Sequence, residues 1–386
     1  MAEAETKSTK RIAALDALRG FALFGVLLTN IFLFNTTSHQ FDSYYAQFTD
    51  GVNQGITLAI KFLFRSRFYP IFAFLFGLGL GLQFKARAAT GRATPFLIRR
   101  LLVLLLLGTI HYIFIWDGDI LLEYALAGFM IVALARLDKN QVLAVTILVY
   151  VLHSLYVYYH LVAEAVLSAP AISDQTSAVV ELPYAALVQK RALGIFSSMF
   201  SFENLLFNVK IFSFIAFGLY VSKAYNFAAF EKHREWWKKA WLWLLLIRVL
   251  LAVFTYSFTL AGITGGGVRE IVSFANFFIN PALYVIGFLI LFYSTIGNKL
   301  LAPLAAVGRM TLTNYIMQTL VLSLLFYGYG FGYYQRLQPF QYLLLGFFFF
   351  LLQVAGSMLW LKWHKQGPLE RLWRSITTYG SKQNQH

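Results

Sequence analysis

His111-Tyr-Ile-Phe-Ile-Trp-Asp-Gly-Asp119 lies across the junction of two apolar runs, Pro95 to Ile115 and Ile120 to Leu137. Each run is close to the length of about 20 residues that a helix needs to cross a bilayer. Two such runs joined by a few polar residues read as a tight hairpin of spanning helices. A helix rises ~1.5 Å per residue, so His111 falls roughly one to two turns inside the bilayer edge. Asp117 and Asp119 fall at or near that edge. Ionisable groups at such depth are costly and tend to mark function. A histidine followed within two turns by two carboxylates has the parts of a general base: an imidazole to take a proton and an acid to orient it. The same residues have plainer uses. A histidine can hydrogen-bond a neighbouring helix, and either aspartate can cap a helix starting at Ile120.

Of 386 residues, 59% are hydrophobic and 13% charged. A soluble domain carries about a quarter charged residues. The composition therefore predicts an all-α polytopic membrane protein. The net charge of +15 does not point to nucleic acid, because the Lys and Arg residues cluster in short loops between apolar runs, as the positive-inside rule describes. The chain has no cysteine, which excludes disulfides, thiolate metal sites and a cysteine nucleophile. No metal site is expected.

About ten spans follow from the apolar runs: Ile12 to Phe34, Phe68 to Phe84, the hairpin pair, Gln141 to Val162, Asn204 to Tyr220, Trp241 to Leu260, Ile271 to Ile296, Leu304 to Tyr327 and Phe340 to Trp363. The first is too long for a signal-peptide core and reads as a retained span. Val52 to Phe64 is amphipathic and is expected at the interface. The polar stretch Glu164 to Arg191 divides the chain. This gives an N-terminal helical bundle (1–168), an extracytoplasmic loop (169–200) and a C-terminal helical bundle (201–386), a layout that allows two five-helix bundles. A weak echo between Ile71-Phe-Ala-Phe74 and Ile211-Phe-Ser-Phe214 fits such a repeat, and the abundance of Phe explains it nearly as well. The basic loops at Lys85 to Arg100, Arg136 to Lys139 and Lys223 to Lys239 fall on one side with both ends of the chain. Both termini are accordingly expected in the cytoplasm. His111, Asp117 and Asp119 then face outward.

Further polar residues stand inside the spans. Asp16 and Arg19 are three apart on one helical face and can pair; Arg19 can equally contact an anion. Asn30 must find partners within the bundle. Arg65 and Arg67 can snorkel or hold an anionic acceptor. Arg309, Thr313, Asn314 and Gln318 form a polar stripe that faces other helices or a cavity. Asn276, Asn280 and the kink residue Pro281 mark the eighth span. Gly77-Leu-Gly-Leu-Gly81 reads as a helix-packing surface. No Walker loop, zinc pattern or nucleophile elbow occurs.

Several stretches taken in order resemble the YeiB-like family of bacterial inner-membrane proteins. They are Leu15-Asp-Ala-Leu-Arg-Gly20 with its continuation to Gly25, Arg67 to Gly77, His111 to Gly128, Gly308 to Gln318 and Gly367-Pro-Leu-Glu-Arg-Leu-Trp-Arg374. The resemblance spans nearly the whole chain, and the family's C-terminal half is catalogued as a domain of unknown function. The N-terminal half resembles the transmembrane acyltransferase superfamily, which includes heparan-alpha-glucosaminide N-acetyltransferase. That resemblance implies transfer of an acyl group from a cytoplasmic acyl-CoA, such as acetyl-CoA, to a hydroxyl or amine acceptor at the outer side of the membrane. It implies an intramembrane histidine, and His111 fits. Asp119, or else Asp117, would orient the imidazole. Asn30, Arg65, Arg67 and Asn314 are the candidate substrate contacts. Arg19, Arg99, Arg100 and Arg309 are the candidate donor contacts. The expected setting is the bacterial cytoplasmic (inner) membrane. The expected partners are membrane lipids, acyl-CoA, an extracytoplasmic acceptor and, in a homodimer, a second copy of the chain. Two other classes stay open: a transporter of a small or lipidic solute, and a non-catalytic lipid-binding membrane protein.

Overall fold

The computed structural model describes residues 2–36, 40–167, 181–225, 230–260 and 266–378. These residues are helical, with no strand among them. The helices are α1 (Ala2–Asn35), α2 (Phe41–Ala46), α3 (Gly51–Ala59), α4 (Tyr69–Arg87), α5 (Ala93–Phe114), α6 (Leu121–Leu134), α7 (Lys139–Leu167), α8 (Tyr184–Met199), α9 (Phe202–Ala224), α10 (Arg234–Leu260), α11 (Gly266–Phe292), α12 (Thr295–Leu301), α13 (Leu304–Arg309), α14 (Thr311–Phe326), α15 (Pro339–Trp363) and α16 (Pro368–Thr378). Eight helical segments among the described residues are long and apolar enough to cross a membrane, and α6 and α14 are shorter apolar helices. The expected set of about ten spans is thus present as eight long and two short.

The two short helices have a physical reason. With 14 and 16 residues, α6 and α14 reach roughly 21 and 24 Å, less than the bilayer core. Their first turns open on a polar cavity, where side chains satisfy the free backbone groups. Irregular backbone at membrane depth is tolerated in such places. The ninth expected span accordingly breaks at Met310, which ends α13 and precedes α14.

Close helix crossings hold the bundle together. A Cβ on Gly77 would meet the Ile215 carbonyl oxygen at 1.9 Å, and one on Gly218 would meet that of Phe74 at 2.0 Å. The glycines therefore let α4 and α9 touch backbone to backbone, as small residues do in membrane bundles. The two echo stretches lie on these two helices. Gly20 against Leu304 and Gly308 against Asp16 do the same for α1 and α13. Packing runs across the chain's midpoint: α1 lies against α13, α14 and α15, while α9 lies against α4, α6 and α7.

The amphipathic stretch expected at the interface forms α3 and the wider turn Ile60–Phe64. Asp50 caps it, accepting from the Asn53 backbone N–H at 2.9 Å. Within the expected outer loop 169–200, residues 169–180 lie outside the described residues. Tyr184–Met199 forms a helix rather than a loop, and it rests on α5. Its buried positions Leu187, Arg191 and Ile195 are four apart, which is the helical period. Polar composition and two prolines hide that stripe in the sequence.

Candidate functional site

The hairpin is shaped by small residues and caps. Gly108 on α5 faces the Leu122 backbone nitrogen, where a Cβ would approach to 2.7 Å. This lets α6 start close to α5. His111 occupies the last turn of α5. Its carbonyl accepts from the backbone N–H groups of Ile115 and Trp116 at 2.9 and 3.0 Å, which ends the helix. A Cβ on Gly118 would strike the Trp116 ring at 2.4 Å, so the turn needs glycine there. Trp116 in turn stacks on Phe34, with ring centroids 4.3 Å apart.

Asp119 then does two jobs at once. Its Oδ2 accepts from the Leu122 backbone N–H at 2.8 Å, capping α6. Its Oδ1 lies 2.8 Å from His111 Nδ1, a bent ion-pair contact and not an in-line hydrogen bond. Such contacts commonly tighten only when a substrate is in place. On the other side of the ring, His111 Nε2 lies 2.7 Å from the Thr319 hydroxyl on α14. All three side chains are buried, His111 to 1% exposure and Thr319 to 0%.

The proton positions follow from the partners. A carboxylate only accepts, so Nδ1 carries the hydrogen. The Thr319 hydroxyl can donate to Nε2, or it can donate to the Ile316 or Tyr315 carbonyl at 3.1 or 3.2 Å. In the second arrangement Nε2 must itself donate, and the ring is an imidazolium balanced by Asp119. The same heavy atoms thus satisfy the neutral and the protonated ring.

Beside this chain lies a cavity of about 1020 Å³. One end is lined by Asp16, Arg19, Arg100, Arg309, Lys365, Glu370 and Arg374. The other is lined by Asn30, Ser66, Trp116, Asp117, Ser198 and Asn204. Asn30 and Arg19 are eleven residues apart on α1, so the ends are separated by roughly 16 Å along the helix. Between them the wall is mostly apolar, with Val26, Phe72, Leu75, Leu80 and Leu104. Asp119, Glu123, Tyr124 and Tyr315 interrupt it. His111 and Thr319 do not line the cavity. The imidazole stands behind Asp119 and the Tyr315 ring, whose centroid is 5.4 Å away.

The charged end is held by α16. The Trp373 indole donates to the Arg100 carbonyl at 2.9 Å, and its ring lies 3.6 Å under the Arg100 guanidinium. Glu370 accepts from the Thr313 backbone N–H at 3.0 Å and from its hydroxyl at 2.6 Å, tying α16 to the start of α14. Arg19 and Asp16 pair at 2.5 Å, and both also face the cavity. With five cations against two carboxylates on its wall, this end is net positive.

The other anticipated residues divide. Asn30, Asp117, Arg19, Arg100 and Arg309 share the cavity with Asp119. Arg99 is exposed, 3.5 Å from the Thr377 carbonyl. Arg65 reaches Asp42 at 3.9 Å and covers the Phe41 ring. Arg67 lies outside the cavity wall, between the lining residues Ser66 and Phe68. Asn314 is buried and donates to the Ser357 hydroxyl at 2.9 Å, away from the cavity.

Four residues that sequence reasoning did not single out complete the site. Thr319 and Tyr315 belong to the polar face of α14. Glu123 follows Asp119 by one turn; it is buried to 9% exposure, and its Oε2 has no hydrogen-bond partner among the described residues. An acid inside an apolar run was the available signal for it. Arg191 from α8 clamps the hairpin: it donates to the Ile115 carbonyl at 3.0 Å and to the Tyr327 hydroxyl at 3.3 Å, and lies 3.5 Å from Asp117.

Fold and site together define a multi-pass helical membrane protein built around an intramembrane polar cavity. Residues 221–380 match the family described as "Protein of unknown function (DUF418)". Over 96% of this chain, and 95% of the relative, the sequence is 30% identical to the uncharacterized protein YxaH of Bacillus subtilis (strain 168). It is 27% identical to the uncharacterized protein YeiB of Escherichia coli (strain K12), over 95% of this chain and 96% of that one. The chain belongs to this DUF418/YeiB family of membrane proteins. No solved structure matches it.

Proposed function

We propose that the protein is a membrane acyltransferase. It would move an acyl group from a cytoplasmic acyl-CoA to a hydroxyl or amine acceptor at the outer side of the bacterial inner membrane. The observation that carries this reading is the juxtaposition of the Asp119–His111–Thr319 chain with a cavity that is cationic at one end. Five cations suit the phosphates of a CoA. The apolar middle suits its acyl arm, and the amides and hydroxyls of the far end suit a polar acceptor.

Of the pair, only Asp119 belongs to the cavity wall, and its carboxylate is buried behind that wall against His111. The pair would take up the acceptor's proton at His111 Nε2, because Nδ1 already carries the hydrogen that faces Asp119. The Thr319 hydroxyl then turns to the Ile316 carbonyl, and Asp119 orients the ring and balances its charge. The acceptor oxygen or nitrogen bonds to the thioester carbonyl carbon, and the carbon–sulfur bond breaks. The acceptor's proton passes to the Asp119–His111 pair and then to the departing thiolate, so atoms and charge balance. Both ring nitrogens are engaged, Nδ1 by Asp119 and Nε2 by Thr319. This favours direct transfer over an acyl-histidine.

The test is binding and turnover by the purified protein. Acetyl-CoA should bind while free acetate does not, and thiol release from acetyl-CoA should require Asp119. Equal binding of acetate and acetyl-CoA would remove the reading. A transporter is the rival favoured by the two short helices that open on the cavity, and it would move solute without releasing thiol. Sidedness is tested separately by reporter fusions at Lys85 and Lys139, both expected in the cytoplasm with the termini. A periplasmic report from either fusion contradicts it.

A further inference from the structure

Two arginines outside the cavity carry charges that no described carboxylate neutralises. Arg248 lies midway along α10, where its neighbours Ile247, Val249 and Leu250 are exposed to the surrounding lipid. Its Nε donates to Asn280 Oδ1 on α11 at 3.0 Å. Asn280 is buried to 7% exposure, and its Nδ2 has no partner among the described residues. Tyr284 follows Asn280 by one turn. Its hydroxyl donates to the Leu63 carbonyl at 2.6 Å, and its ring centroid lies 5.2 Å from that of Phe68. These contacts bring Arg67, which precedes Phe68, to the same face of α11. Arg67 stands close enough to Arg248 to feel its charge.

Like charges drawn together at membrane depth repel and have lost part of their hydration. An anion between them replaces the repulsion with two attractions. Guanidinium groups match phosphate oxygens in a fixed fork, and the spare Asn280 amide adds a third donor. We propose that Arg67, Arg248 and Asn280 bind the phosphate of a membrane lipid. The ligand enters from the bilayer, because α10 is exposed along its apolar length. Ser66 and Phe68 on either side of Arg67 both line the cavity, so the bound headgroup lies along its flank. Acyl transfer is not required for this binding.

The test uses the full-length protein, purified in detergent, stripped of lipid and titrated with phosphatidic acid under native mass spectrometry. Diacylglycerol supplies the same chains without phosphate, and inorganic phosphate supplies the anion without chains. The parent should retain one phosphatidic acid that Arg67→Gln and Arg248→Gln bind about tenfold or more weakly, the effect of losing a charged hydrogen bond. Diacylglycerol should bind poorly to all three. Arg67→Gln removes no hydrogen bond seen here, so it stands alone if Arg248→Gln fails to fold. Melting temperature on the same samples confirms folding. Equal retention of phosphatidic acid by the folded variants and the parent overturns the site. Diacylglycerol binding as tightly as phosphatidic acid removes the phosphate from the argument. Inorganic phosphate binding as tightly overturns the lipid assignment in favour of a soluble anion.

Discussion

Asp119 holds His111 with one carboxylate oxygen and the first turn of α6 with the other, each at 2.8 Å. A helix cap and the orientation of a buried imidazole are usually separate tasks. Here one side chain fixes both, so the start of α6 and the histidine ring cannot move independently.

This coupling separates two substitutions. Asp119→Asn keeps an oxygen for the Leu122 N–H but loses the charge that stabilises an imidazolium. Thiol release should fall by orders of magnitude, as removing an orienting acid does in the serine-protease template, while the melting temperature stays near that of the parent. Asp119→Ala should lose activity and also about 1 kcal/mol of stability for the cap. Loss of activity only in proportion to loss of folded protein would mark the pair as structural. His111→Ala belongs in the same assay, and full activity there would dismiss the pair from the chemistry.

Thr319 gives an independent check from the opposite side of the ring. Thr319→Val keeps the shape and removes the hydroxyl that lies 2.7 Å from Nε2. A buried polar nitrogen left without a partner costs about 1–3 kcal/mol. Thr319→Ser should restore most of that stability, and activity with it. Measured melting temperatures in which valine and serine behave alike would show that the hydroxyl is idle.

The fold was legible where physics is local. Apolar runs of bilayer length identify the spanning helices. The Gly-rich run Gly77 to Gly81 identified a packing surface, and the structure puts Gly77 against Ile215 and Gly81 against Ser222. Several cavity residues, Arg19, Asn30, Arg100 and Arg309, stood out as polar groups in or beside apolar runs, but the contacts around His111 were legible only as far as the hairpin. His111 and Asp119 are eight residues apart, so their proximity can be derived from helical rise and a turn. Thr319 lies 208 residues from His111, and no periodicity within one segment reports a contact between two. The same holds for Arg191, whose role depends on where α8 comes to rest. Arg99 and Arg100 look equivalent in sequence, yet one turns outward and the other into the cavity.

The helix crossings give a prediction about stability alone. Gly77→Val places a side chain on the Ile215 backbone oxygen, which cannot rotate away. It should prevent α4 and α9 from meeting and sharply reduce the yield of folded protein. Gly194→Ala on α8 meets nothing within 4 Å. It should be neutral or gain up to about 1 kcal/mol from better helix propensity. Comparable folded yields for Gly77→Val and the parent, read by size-exclusion chromatography, would contradict the crossing.

The cationic end gives the sharpest test of the donor, because it contrasts neighbours. Arg100 and Arg309 line the cavity, and Arg99 does not. Topology alone explains a basic loop at the cytoplasmic edge, and on that explanation the three arginines are interchangeable. A phosphate-bearing donor inside the cavity makes them different. A hydrogen bond to a charged group contributes about 1.5–3 kcal/mol, roughly tenfold or more in affinity. Arg309→Ala should therefore weaken acetyl-CoA binding about tenfold or more. Arg100→Ala should do the same and also lower the melting temperature, since its guanidinium rests on Trp373 and holds α16. Arg99→Ala should leave affinity unchanged. Titration calorimetry at two salt concentrations reads all three, and added salt should weaken the parent more than Arg309→Ala, because screening acts on charges still present. Equal losses at Arg99 and Arg309 would mean that the charge of the surface, not the cavity, attracts the ligand.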